Sequence, residues 1–410
     1  MRNFVPGFAL ILSPESGLNF STSPQQQMST LLFLSTLAIA LGKLTLGPVI
    51  DKFGGIMSLK ALHLSLSVLL VSIGSVKSVT LFAICWVLVD LGFSSCWPSC
   101  LASVHQAFQP NLWTKKIGLL AMAARTGNAT AFFIFGALLQ CFQNRPNAWR
   151  FVFWVSAALQ IVPLVLLNSF SKDVGDDACF VSTRYDVRAD QAGDSMQRSP
   201  FQVLRKEVKC VDFWLQLVSR SALMVFGSFL LFVPTFMIHC YSMSTDNASR
   251  VGSLFAIGCM LSLSLGSNIY SSLPLPRRIS AITMLLLLSV FCSVAQLIHV
   301  AGIITLSPLL GAMMMMLWGF SFSIPFYVPP ALFSLSRGGK ESSATIADFF
   351  DVFGFGILSF FNGYVASFRH DIITNWVFVF KLLSCCAVAS LVTLPTAIWI
   401  GHKSNPPEST

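Results

Sequence analysis

Charged residues are scarce in this chain of 410 residues: Asp, Glu, Lys and Arg together make up 10% of it, against about 25% in soluble domains. The hydrophobic share is 54%, and the mean hydropathy is +0.72. A water-soluble globule needs more polar surface than this, so a lipid bilayer must solvate most of the chain. The net charge is +9, but the basic residues are scattered over short segments, so we expect no nucleic-acid partner.

The sequence also lacks the usual patterns of catalysis. It contains no phosphate-binding glycine loop, no closely spaced set of metal-ligating side chains and no nucleophile–base pair. We therefore expect no enzyme, no bound metal and no cofactor. An ATP-driven pump would need a nucleotide-binding domain, and no polar segment is long enough for one. The eleven cysteines lie mostly inside apolar runs and are interpreted as small buried hydrophobic residues.

Apolar runs long enough to cross a bilayer recur along the chain, and in lipid such runs must be helices. They predict an all-α membrane protein. The runs cover about 28–48, 59–76, 79–105, 116–140, 150–168, 212–239, 248–272, 279–299, 303–328, 343–367 and 374–400. Residues 1–12 are too short to span, and we interpret residues 3–12 as the tail of a first helix whose front is absent. A break is predicted in the tenth span near Pro325, Pro329 and Pro330.

An internal repeat links the two ends of the chain at an offset of 227 positions. The offset aligns residues that fix kinks and close backbone approach. It superimposes Gly92, Pro98, Gly127, Gly136 and Trp149 on Gly319, Pro325, Gly354, Gly363 and Trp376. The repeat predicts a duplicated helical bundle.

The polar stretch 169–209 separates the two copies and is predicted to be a flexible loop. We therefore divide the chain into a first half (1–168, with an incomplete first helix), an inter-half loop (169–209), a second half (210–400) and a tail (401–410). Two halves of like orientation, each of about six helices, are typical of secondary transporters with parallel repeats.

Lysine and arginine are unevenly distributed between the two sets of loops. We call the richer set the basic side. It carries Lys52, Lys60, Lys115, Lys116, the inter-half loop, Arg277, Arg278, Arg337, Lys340 and Lys403. The positive-inside rule predicts that this side is cytoplasmic and that both termini lie there.

One motif stands out after the second span: Gly47-x-x-x-Asp51-Lys52-x-Gly54, preceded by Gly42-Lys43. Gly47 allows close helix packing, and Gly54 suits a tight turn. Here the chain resembles the major facilitator superfamily, whose signature between its second and third helices has this form. The resemblance implies two pseudo-symmetric six-helix halves and a latch for a closed state at this motif.

A narrower resemblance covers Trp86 through Phe108, including Trp97-Pro98-x-Cys100 and Val104. This stretch is similar to the fourth helix of the organophosphate:phosphate antiporters. That family uses substrate-binding arginines on its first and seventh helices, which implies a substrate role for Arg220. By the repeat offset, the partner of Arg220 would lie before Met1.

Charged and polar side chains inside the spans supply the candidate site, since such residues are costly in lipid and usually functional. We predict an Asp90–Arg125 ion pair beside a central cavity, serving either as an anion- or proton-responsive site or only to join two helices. Asn268 and Tyr327 are predicted hydrogen-bond donors to a substrate.

A gate is predicted where the second and eleventh spans meet. Asp348 and Asp351 lie one helical turn apart and share a face. Lys43 is predicted to pair with Asp348, with Asp351 deeper in the membrane. The alternative is an interface salt bridge without a gating role.

The preferred interpretation is a monomeric multi-pass secondary transporter for a small organic anion or phosphate ester, with phosphate or a coupling ion as a second partner. Arginine suits carboxylate and phosphate groups, which favours this choice. Two alternatives remain: a proton-coupled carrier of a neutral or amino-acid-like solute, and a transporter-like protein that does not transport.

Overall fold

The computed structural model describes residues 24–141, 148–189, 200–366 and 372–404, and these residues form helices without any strand. Ten helical segments among them are long and apolar enough to cross a membrane. Residues 1–12 lie outside the described residues.

The described part of the first half contains six helices. They cover the predicted apolar runs, and most of them extend a few residues beyond those runs, with a short break at Ser94 and Ser95 inside the third predicted run. The helices are α1 (Pro24–Phe53), α2 (Gly55–Ser75), α3 (Val79–Phe93), α4 (Cys96–Ala107), α5 (Pro110–Cys141) and α6 (Ala148–Ala189).

The second half follows a short helix on the basic side. A 3-10 turn at Phe229–Phe232 separates two of its helices. The helices are α7 (Pro200–Glu207), α8 (Val211–Ser228), α9 (Val233–Tyr241), α10 (Thr245–Ser272), α11 (Leu275–Val300), α12 (Pro308–Ala366) and α13 (Ile372–Ser404).

Helix α12 consists of two membrane spans, which we call its first arm (Pro308–Gly339) and second arm (Ser342–Val365). The chain turns at Gly339, where φ is 56° and ψ is −152°. This left-handed backbone suits a residue without Cβ. The predicted break at Pro325, Pro329 and Pro330 is wrong, because these prolines lie inside the continuous first arm. Neighbouring groups can satisfy the backbone around a proline in such a helix.

The predicted loop at 169–209 is also wrong in part. Helix α6 continues to Ala189, and α7 adds a helical turn from Pro200. No proline lies between Pro163 and Pro200 in the sequence. Helix propagation is favourable once nucleated, so the long apolar span of α6 extends into the polar segment.

Both halves bury an aromatic core around a tryptophan that the repeat aligns. Trp149 and Trp376 are 2% and 1% exposed and lie near the starts of α6 and α13. In the first half Trp149 packs edge-on against Phe82 and Phe153. In the second half Trp376 packs against Phe229 and Phe236. These equivalent positions agree with the predicted duplication.

Candidate functional site

A narrow cleft lies between the two halves, about nine residues into α8 from the basic side. The first half contributes Trp97 and Leu101 of α4. The second half contributes residues from α8 and both arms of α12: Arg220, Tyr327, Pro330, Ala331, Ser334, Ala347, Phe350 and Asp351. The cavity volume is about 10 Å³, roughly what one water molecule needs. The halves are therefore closed around this cleft.

Four buried charges lie beside the cleft and join the two halves. Lys43 Nζ of α1 is 2.9 Å from Asp348 Oδ1 and 2.9 Å from Asp351 Oδ2. Arg220 Nε of α8 is 2.8 Å from Asp351 Oδ1. The predicted Lys43–Asp348 pair is confirmed. Asp351 is the shared partner that connects Lys43 to Arg220, a link that the sequence did not reveal.

This cluster carries two positive and two negative charges, so it is balanced. Burial of an unbalanced charge would be costly, and the mutual contacts offset part of the desolvation of the four groups. Lys43 also donates to the Ser94 carbonyl at 3.2 Å, and Arg220 donates to the Phe326 carbonyl at 2.6 Å. Among the described residues no hydrogen bond reaches Asp348 Oδ2.

Asp51 joins the halves at the basic side. Its carboxylate accepts hydrogen bonds from the backbone N–H groups of Ala344 and Thr345 at 3.0 and 2.8 Å, and from the Thr345 hydroxyl at 2.6 Å. These amides begin the second arm of α12, where the helix dipole favours a negative charge. Asp51 thus caps a helix of the other half.

The glycines of the motif allow this approach. A Cβ atom on Gly47 would lie 3.0 Å from Thr345 Cα and 3.1 Å from Asp348 Oδ2. Gly54 has φ of 86° and is the N-cap residue directly before α2. Lys52 is exposed, with its ammonium 5.6 Å from the Phe53 ring centroid. No ion pair joins Lys52 to the second half among the described residues.

Two arginines lie over aromatic rings at the cleft. The Arg220 guanidinium is 3.8 Å from the Phe326 ring centroid, and the Arg125 guanidinium is 5.5 Å from that of Tyr327. Tyr327 also meets Trp97 of the first half, with ring centroids 5.3 Å apart. Rings attract cations placed over their faces.

The predicted Asp90–Arg125 ion pair does not form. Ser35 of α1 donates a hydrogen bond to Asp90, whereas Arg125 faces Tyr327. No carboxylate of the described residues lies within ion-pair distance of Arg125, and its Nε has no hydrogen-bond partner among them. The reason is helical phase, since depth in the membrane alone suggested the pair and the two side chains contact different helices.

Asn268 does not reach the cleft either. Its side chain is exposed and donates to the Ser264 carbonyl one turn earlier in α10, at 3.3 Å. The neighbouring Ser267 is the residue of this turn that points inward, being 4% exposed.

A second charge cluster lies on the basic side and was missed. Arg337 contacts Asp212 at 2.6 Å and Glu207 at 3.4 Å, which ties α7 and α8 to the first arm of α12. Burial raises the pKa of Glu207, and the nearby Arg337 guanidinium opposes that rise. Little in the sequence indicated this cluster, because Glu207 lies in the segment interpreted as a loop and Asp212 lies just after it. Within the described residues no group of His, Cys, Asp and Glu could hold a metal ion.

Comparison with known proteins gives the family. Residues 3–362 match the family model described as Major Facilitator Superfamily. The chain belongs to the major facilitator superfamily. This member of the superfamily is therefore a transporter and a multi-pass integral membrane protein. Among curated protein sequences none matches this chain.

Solved transporters of the superfamily share its fold. The proton:xylose symporter XylE of E. coli, bound to 6-bromo-6-deoxy-D-glucose, has a TM-score of 0.69 and 13% identity, covering 99% of this chain and 92% of that chain. The E. coli fucose:proton symporter FucP has a TM-score of 0.64 and 14% identity, covering 97% of this chain and 99% of that one. At such identities the likeness concerns the fold, and the substrate must be argued from the site.

Proposed function

We propose that this superfamily member moves a small organic anion across the membrane by alternating access, as a monomer, with the cleft between its halves as the binding site. The observation that carries the proposal is Arg125. Its guanidinium lies over Tyr327, a residue of the cleft, without a carboxylate partner among the described residues.

The charge balance supports an anion. Lys43, Arg220, Asp348 and Asp351 neutralise one another. Arg125 adds one positive charge that these groups do not compensate. In a low-dielectric environment such a charge attracts an anion strongly, and the planar guanidinium suits carboxylate or phosphate oxygens.

A phosphate ester is a narrower form of the same proposal. Its second charge would need Arg220 as well as Arg125, so the ester would have to draw Arg220 away from Asp351. The resemblance of Trp86–Phe108 to the organophosphate:phosphate antiporters supports this form, and exchange for phosphate would follow from it. Asp351 would then remain paired with Lys43.

Alternating access requires contacts between the halves that can break. The Lys43 cluster and the Asp51 cap close the basic side here. We infer that the basic side is cytoplasmic, following the positive-inside rule, so the solute would enter from the opposite side. Solute binding would then favour release of these contacts.

The test is exchange in proteoliposomes made with the purified chain. Vesicles loaded with unlabelled solute receive labelled pyruvate, glycerol phosphate or glucose as probes. We expect exchange of an anionic probe, a loss of about tenfold or more in affinity in Arg125→Gln, and partial recovery in Arg125→Lys. Arg278→Gln is the matched control, because the hydrogen bonds of Arg278 among the described residues go to the carbonyls of Ser271 and Leu273, where α10 ends. Equal exchange by Arg125→Gln and the unchanged protein contradicts the proposal, and no exchange of any probe favours a transporter-like protein that does not transport.

A proton-coupled carrier of a neutral solute is the second candidate. Asp348 favours it, because its Oδ2 atom is buried without a hydrogen-bond partner in the described part of the chain and could take up a proton. The solved relatives XylE and FucP are named as proton symporters of sugars. This candidate predicts glucose uptake driven by a proton gradient and lost in Asp348→Asn, with counterflow of glucose retained.

A further inference from the structure

We infer that the transported anion has an apolar body, preferably a flat aromatic ring, and is not a sugar or a polyhydroxylated acid. This inference rests on the proposed anion transport and narrows its substrate class. It comes from the side chains that form the walls of the cleft and from the hydrogen bonds that those walls have already used.

The walls are mainly apolar. Trp97 and Leu101 face the cleft from α4, and Pro330, Ala331, Ala347 and Phe350 face it from α12. Because the two sides belong to different halves, separation of the halves widens the cleft between these same side chains. A solute that enters therefore meets the same walls that now contact each other.

Three polar side chains of the cleft are already engaged. Arg220 and Asp351 bind each other, and Ser334 donates to the Pro330 carbonyl at 2.9 Å. A sugar brings several hydroxyl groups, each of which needs a partner when it is buried. The Tyr327 hydroxyl and the Trp97 indole N–H offer one group each, which is too few for a sugar unless the ion pair breaks. An apolar body makes no such demand, and it removes more apolar surface from water.

The ring contact across the cleft points to a flat body. Trp97 of the first half and Tyr327 of the second half meet at 5.3 Å between centroids, with their planes at 53°. Separation of the halves breaks this contact. An aromatic ring inserted between the two would replace it on both faces. Its acidic group would then approach Arg125, which lies over the same Tyr327 ring.

The experiment uses anions of equal charge in the exchange assay: benzoate, cyclohexanecarboxylate and gluconate, with glycerol phosphate and pyruvate as small probes. We expect benzoate to compete for exchange at least about tenfold better than gluconate, with cyclohexanecarboxylate between them. Ligand-induced stabilisation of the detergent-solubilised protein gives an independent measure of binding.

Variants locate the effect. Trp97→Ala should weaken benzoate binding about tenfold and pyruvate binding clearly less, Trp97→Phe should retain the preference for benzoate, and Tyr327→Leu should lower that preference. Trp154→Ala is the matched control, since Trp154 lies on α6 and is 40% exposed. Should Trp97→Ala fail to fold, the other two variants and the anion panel still decide.

The failures can be told apart. Exchange of gluconate or glycerol phosphate with benzoate excluded overturns this inference and leaves anion transport standing. An equal loss of benzoate and pyruvate in Trp97→Ala also overturns it, because the residue would then serve the fold alone. Absence of exchange for every anion overturns both proposals.

Discussion

Two contacts between the halves occupy equivalent places in the repeat, and they use different chemistry. Where α1 meets the second arm of α12, buried charges join the halves. Where α5 meets α10, close packing of small residues joins them, with Gly118 against Ser267. The offset of 227 positions places Ala121 and Ala124 at the equivalents of Asp348 and Asp351.

The difference concerns how each contact can open. A charged contact can exchange its partners for water, a proton or an ionic solute, so its strength responds to the transported chemistry. A close-packed contact of small residues has no partner to exchange and responds only to steric change. We infer that the α1–α12 contact is the regulated one and that the α5–α10 contact holds its spacing. The predictions below test this contrast.

The largest effect is expected from Lys43→Ala. The change leaves Asp348 and Asp351 buried near one remaining cation, Arg220, and should lower the free energy of unfolding by about 3–5 kcal/mol. Unfolding in detergent is the measurement, and exposed Lys52→Ala is the control. The double variant Lys43→Ala/Asp348→Ala should recover most of the loss, because Asp351 keeps Arg220. A double variant as unstable as the sum of both single changes would contradict the shared network.

Gly118→Ala tests the steric contact. The new methyl group would collide with Ser267 Cβ and should cost about 1–3 kcal/mol of stability. Adding Ser267→Gly removes the opposing atom and should restore the stability. The same unfolding assay applies, and the effect should not depend on salt. If Ser267→Gly brings no recovery, the two helices do not depend on this fit.

Asp51→Asn should have a smaller effect confined to the basic side. Asparagine keeps one oxygen acceptor for the amides of Ala344 and Thr345 but removes the charge at the helix start, at a cost of about 1 kcal/mol. Hydrogen exchange measured by mass spectrometry should show faster exchange at residues 343–348. Unchanged exchange there would mean that the cap does not hold α12.

The smallest effect is expected from Arg278→Gln at the equivalent of Asp51 in the second half. Arg278 donates to the carbonyls of Leu273 and Ser271 at 2.7 and 2.8 Å, and no hydrogen bond or ion pair joins it to the first half in the part of the chain that the structure describes. The loss should be about 0.5 kcal/mol, with faster exchange only near the end of α10. Faster exchange at the start of α5 as well would show that the second half has a latch too, and would weaken the contrast.

The sequence predicted those features of the site that follow from the geometry of a single helix or from a local motif. The helical period places Asp348 and Asp351 on one face, and the motif identified Gly47, Asp51 and Gly54. The Lys43–Asp348 pair followed from the superfamily resemblance and is confirmed. The Asp90–Arg125 pair was chosen by depth alone, and depth does not say which neighbour a side chain faces. The prediction that Asn268 binds substrate was wrong for the same reason, because its side chain faces away from the cleft.

Composition and hydrophobic pattern by themselves determined a lipid-solvated bundle of helices, its duplication and the place of its motif. Only the tertiary structure decided that Asp351 joins Lys43 to Arg220. Arg220 and Asp351 are 131 positions apart in the sequence. The tertiary structure also decided that Arg125 faces Tyr327. The physical reason is that periodicity fixes which residues share a helix face, whereas the partner of that face depends on how all the helices pack around one another.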